Sequence, residues 1–96
     1  GSYRAIMTCW KQSKLFWTGH KTDLIELIYA LHSCGAINSG TADIKEMAAA
    51  CEQIFNIDLG NYYHTFIEIR SRKANNTKFI DKLKESLIKR FRELDE

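Results

Sequence analysis

The chain has no proline and only five glycines in 96 residues. The two residues that most often interrupt a helix are therefore absent or confined to a few breaks, which argues against a loop-rich or all-strand domain. No apolar run approaches the roughly 20 residues that a membrane span requires, and no apolar leader with a small-residue cleavage site opens the chain. A soluble, cytoplasmic protein with no membrane partner is expected. Cysteine is scarce and odd in number (Cys9, Cys34 and Cys51), and with three histidines it forms none of the usual zinc spacings. Reduced, partly buried thiols and no metal or other cofactor are expected. Catalysis also lacks its parts. No nucleophile stands beside a recognisable base, and Gly19-His20-Lys21-Thr22, which ends like a phosphate-binding loop, lacks glycine at Leu15 and His20 where that motif needs it. The chain is not expected to be an enzyme.

What remains is 45% apolar, enough for a packed globule. A chain of this size buries roughly 60 to 70% of its unfolded surface and has no material for a second core. Gly1-Ser2 reads as an expression scar, and residues 3–96 as one domain. The net charge of +2 conceals a marked asymmetry. Residues 19–69 carry two lysines against seven carboxylates, whereas residues 70–92 carry nine Lys or Arg against two carboxylates. A polyanion would be drawn to that second segment.

Apolar spacing places the helices. Leu24, Ile25, Leu27, Ile28 and Leu31 cover a broad face of a helix from about Thr22 to Ser33, predicted to be the most buried of the set and stopped by Gly35. Ile44, Met47, Ala48, Cys51, Ile54 and Phe55 mark the core face of a second helix, capped by Thr41 or Ser39. Asn56 to Gly60 supplies turn residues, with positive φ at Gly60. A third helix follows with Tyr62, Phe66 and Ile69 inward. A last one runs from about Lys78 to Leu94, its stripe of Phe79, Ile80, Leu83, Leu87, Ile88, Phe91 and Leu94 predicted to belong to the core. Tyr3 to Lys14 has the spacing of a short leading helix, and Leu15-Phe16-Trp17 with Ala36-Ile37-Asn38 that of a small two-stranded ribbon. The fold class expected is mainly α, a helix-turn-helix or winged-helix-like domain with a short two-stranded ribbon and a long C-terminal helix.

In such domains the helix after the turn lies in the major groove of DNA. Asn61, His64 and Thr65 fall on the outward face of that helix, where Asn can pair with adenine and Thr can touch a thymine methyl. Arg72, Lys73 and Lys78 are the candidate phosphate or guanine contacts. Glu68, on the same face, would repel phosphate and is expected to pair with Arg72 at i, i+4.

The chain also resembles the RteC-type regulators of Bacteroides mobile elements in their C-terminal domain. The resemblance covers nearly the whole chain and is carried by Trp17-Thr18-Gly19, Leu24 to Leu31, Gly35-Ala36-Ile37-Asn38, Ile44-Lys45-Glu46, Phe55-Asn56-Ile57, Arg72-Lys73 and Thr77-Lys78-Phe79. It implies a helix-turn-helix or winged-helix module of a regulator that activates excision genes of tetracycline-inducible conjugative transposons. The expected partners are promoter DNA, RNA polymerase and the regulator's N-terminal domain, which this sequence lacks. The rival reading is a helical protein-interaction module without nucleic-acid binding.

Overall fold

The computed structural model describes residues 12–95. The predicted leading helix falls almost entirely outside them. Four α-helices follow: α1 Lys21–Cys34, α2 Ile44–Phe55, α3 Tyr62–Arg70 and α4 Lys78–Asp95, with a single 3-10 turn, Asn38–Gly40, between α1 and α2. The domain is mainly helical as expected, with the first and last helices within a residue of the bounds read from the sequence.

α1 is the hub. Leu24, Ile25 and Ile28 are fully enclosed. Met47 and Ala48 of α2, Leu59 of the following loop and Ile69 of α3 close round them, with Leu27 and Leu31 packed at the margin. Every close backbone approach between helices is made to α1: α2, α3 and α4 each lie against it and, among the described residues, not against one another. The α2–α3 pair expected to organise the chain is thus organised by the helix before it. Gly35 ends α1 at φ 73°, the left-handed conformation that glycine adopts without a Cβ penalty.

α2 is capped by Asp43 rather than by Thr41 or Ser39. The Asp43 carboxylate accepts from Lys45 N, and Glu46 reaches back to accept from Asp43 N, a reciprocal capping box. Thr41 instead donates its hydroxyl to the Asn38 carbonyl at 2.7 Å, closing the 3-10 turn. The corner after α2 is tied by Glu52, whose carboxylate accepts from Leu59 N at 2.8 Å, and by Asp58, which accepts from Gly60 N at 2.9 Å. Asn56 and Gly60 turn the chain at φ 49° and 62°, so that Leu59 drops into the core as a plug.

Two expectations are corrected here. The described residues contain no strand, so the ribbon does not form. Residues 13–17 run extended along the C-terminal end of α2, where Trp17 N donates to Phe55 O at 2.9 Å and the Asn56 amide donates to the carbonyls of Ser13 and Leu15. Those backbone groups find a side-chain amide and a helix end, so a second strand has nothing to offer them. Ala36 to Asn38 leads into the 3-10 turn instead.

The second correction concerns α4. Only its first turns dock: Phe79 meets Trp17 edge-on at 5.7 Å between ring centroids, and Ile80 is half-buried beside α1. Beyond them the stripe emerges from the body, with Leu83 39%, Leu87 55%, Phe91 55% and Leu94 80% exposed. The core-facing side of the domain ends before the helix does.

Candidate nucleic-acid interface

Helix α3 has only nine residues, so its start and finish are about 13 Å apart at 1.5 Å per residue. Asn61 stands just before the first turn as its cap, the side-chain oxygen accepting from His64 N at 3.2 Å. That oxygen is engaged with the backbone, which leaves the amide N–H groups as the part of Asn61 able to meet a ligand. The His64 ring is exposed and lies 3.9 Å from Glu68 one turn on. Thr65 is half-buried, its hydroxyl donating back to Asn61 O at 3.4 Å.

At the other end of α3 the chain turns through Ser71 to Asn76 into α4. Arg72 does not pair with Glu68. Its guanidinium points inward to Glu26 of α1, Nη1 to Oε1 3.5 Å. Glu26 is 6% exposed, and its other oxygen accepts from Ile80 N in the first turn of α4 at 2.9 Å. The Glu26 carboxylate therefore faces two positive features, a guanidinium and the N-terminus of a helix. Neither Glu26 Oε1 nor Arg72 Nη1 has a hydrogen bond, so their attraction is one of charge. Arg72 thus serves the joint between α1 and α4. In the sequence Glu26 looks like an acidic residue near the start of its own helix; the helix whose start it occupies lies 54 residues further along the chain.

Lys73 and Lys78 are exposed, as is Arg70 in the last turn of α3. Arg70, Asn76, Thr77 and Ile80 line one cleft of about 300 Å³ with Glu26, Tyr29 and Phe66. Exposed Arg70, Lys73 and Lys78 fall where α3 ends and α4 begins, whereas Asn61 and His64 stand at the start of α3. Tyr29 stacks on Phe66 with centroids 3.9 Å apart. Burial, then the neighbouring Tyr62 and Tyr63, pushes its phenol pKa up. Tyr62 packs against the core and Tyr63 is exposed. Cys51 is half-buried, which raises its thiol pKa, while Cys34 is exposed, contrary to its expected place in the apolar pattern; both are free thiols.

Taken together, the described residues define a small helical domain with one buried hub helix and a basic edge where α3 hands over to α4. The family model described as RteC protein matches residues 4–95. The chain belongs to the RteC family. No curated protein and no solved structure matches it.

Among the described residues no helix is long and apolar enough to cross a membrane, and no group of three or more His, Cys, Asp or Glu side chains could hold a metal ion.

Proposed function

We propose that this chain is a DNA-binding domain of a cytoplasmic transcriptional regulator that controls excision and mobilisation genes of a conjugative transposon. It performs no catalysis and needs no cofactor. The observation that carries the reading is the basic edge. Arg70, Lys73 and Lys78 are solvent-exposed at the junction of α3 and α4, next to a helix whose outer face also offers His64, Thr65 and the Asn61 amide. In this reading α2 and α3 act as a helix-turn-helix-like unit, with α3 toward the major groove and α4's first turns on the flanking phosphates in the position a wing would take. RNA polymerase and another domain of the same regulator are its protein partners. The exposed stripe of α4 favours a protein-contact role in addition, because large apolar patches mark interaction surfaces.

A salt titration on duplex DNA tests this. Each phosphate contact contributes about −0.9 to the slope of log affinity against log salt. Lys73→Ala and Lys78→Ala should each flatten the slope by about one on every sequence. Arg72→Met should leave it unchanged, since that guanidinium is turned to Glu26. On the footprinted operator, Thr65→Ala or Asn61→Ser should reduce the margin over random duplex by about 1 to 3 kcal/mol. Serine is chosen at position 61 because it can still cap α3. Slopes untouched by either lysine would remove the DNA reading.

A further inference from the structure

The outer two-thirds of α4 is an amphipathic helix with nothing on its apolar side among the described residues. Leu83, Leu87, Phe91 and Leu94 fall on one face at steps of four, four and three, and each is more than a third exposed. An aromatic side chain presents about 150 to 250 Å² and a leucine somewhat less, so at these exposures the four leave on the order of 400 Å² of apolar surface uncovered. That is within the size range of patches that serve a function on otherwise self-contained domains.

The arrangement of charge along the helix says what covers it. Charges of both signs run along the helix, but those flanking the two ends of the stripe on one side are opposite: Lys84 stands beside Leu83, and Asp95 beside Leu94. Both pairs are separated by eleven residues, three full turns, so Lys84 and Asp95 lie on one line along the helix and Leu83 and Leu94 on a neighbouring line. Leu83 with Leu94, Lys84 with Asp95, and Leu87 with Phe91 all have their midpoints within half a residue of position 89. A two-fold axis there, perpendicular to the helix, sets each residue of a pair against its counterpart on a second, antiparallel copy. Leucine meets leucine, Leu87 meets Phe91, and Lys84 meets Asp95, twice over.

From this coincidence we propose that α4 pairs with α4 of a second copy of this chain, antiparallel, about an axis at residue 89. Parallel pairing would instead set Lys84 on Lys84 and Asp95 on Asp95, with the two helix dipoles aligned. With the axis at residue 89, the docked first turn of the second copy's α4 falls past the last turn of the first copy's helix. Lys89 points away from the stripe. Arg90 of both copies lies beside the axis, each one turn from Glu93 of its own chain. Two copies cover about 800 Å² from the four apolar side chains alone, and the stems of Lys84 and Arg90 bring the total near the lower bound of specific interfaces, about 1,200 Å². The dimer is therefore weak, formed at micromolar concentration or above. It does not depend on DNA binding and is measured without DNA.

Sedimentation equilibrium over a wide protein concentration range is the test, with helical content followed by circular dichroism. The unmodified chain should show a monomer–dimer equilibrium. Leu87→Glu should abolish it with the fold intact, since residue 87 lies outside the core. Lys84→Glu and Asp95→Lys should each weaken the dimer by about tenfold, because each reverses one partner of an exposed pair that occurs twice. The double variant should restore the original constant, an outcome that only antiparallel self-pairing produces. A chain that stays monomeric at the highest concentration, or a dimer that the double variant does not rescue, overturns the proposal.

Discussion

Replacing Glu26 by glutamine keeps its volume and an oxygen for Ile80 N while deleting one charge. Glu26 sits nearly enclosed between Arg72 at 3.5 Å and the N-terminus of α4 at 2.9 Å. At an effective dielectric of 20, the Coulomb attraction of unit charges at the first of these distances is about 5 kcal/mol. Most of it is offset by taking the carboxylate out of water. Removing one partner of a fully buried pair costs about 3 to 5 kcal/mol, and the figure here is smaller because Arg72 is partly exposed and can rehydrate. Weakening the charged hydrogen bond to Ile80 N adds about 1 kcal/mol. A loss of about 2 to 3 kcal/mol is expected, a large share of the 5 to 15 kcal/mol typical of a domain. Urea unfolding at neutral pH should show it as a lower midpoint with an unchanged m-value. Arg72→Met should be costly alone and cheaper in the Glu26→Gln background, with a coupling of about 1 to 2 kcal/mol in the double-mutant cycle. A Glu26→Gln loss below about 0.5 kcal/mol, with no coupling to Arg72, would show that the pair is incidental and that α4 is held by Phe79 and Ile80 alone.

The two ends of the burial scale should part clearly in unfolding experiments. Ile28→Ala is expected to cost about 2 to 5 kcal/mol, whereas Leu87→Ala, half-exposed on the projecting part of α4, should cost under about 1 kcal/mol when measured at concentrations where the chain is monomeric. Cys34, exposed, should react with a thiol reagent well before Cys51, which burial both covers and holds in its thiol form. Because that shift is upward, the unfolded thiol ionises first and the Cys51 contribution to stability falls as pH rises through the thiol range. A Cys51→Ser variant that retains the full alkaline loss would assign the effect elsewhere.

The positions of all four helices were legible because each is written in local spacing: Leu24, Ile25 and Ile28 on α1, Met47 and Ala48 on α2, and Gly35 as a stop. What local spacing cannot carry is the identity of the surface opposite a stripe. α4 has as regular an apolar face as α1, yet α1 meets three helices and α4 beyond Leu83 meets none, since the chain has no further helix to lay against it among the described residues. Ile54 fails in the same way: its register is that of the core face of α2, but it lies 45% exposed. Of the candidate contacts, Lys73 and Lys78 are exposed, while Arg72 and Asn61 have structural work that depends on partners the sequence does not announce. Glu26 was invisible for the opposite reason, since a carboxylate on a strongly apolar helix gives no sign that another helix will begin against it.

A hub has consequences for how such a molecule comes apart. With α2, α3 and α4 each leaning on α1, none of the three can outlast it, and any one of them can loosen without dragging another along directly. Amide hydrogens around Leu24 to Ile28 should therefore exchange with solvent only through global opening, and those of α4 past Leu83 through fraying of a few turns at almost no cost. Two tiers of lifetime coexist in one short chain. The long-lived tier keeps the corner between α2 and α3 in shape, and the short-lived one leaves the far end of α4 free to be ordered by whatever it meets.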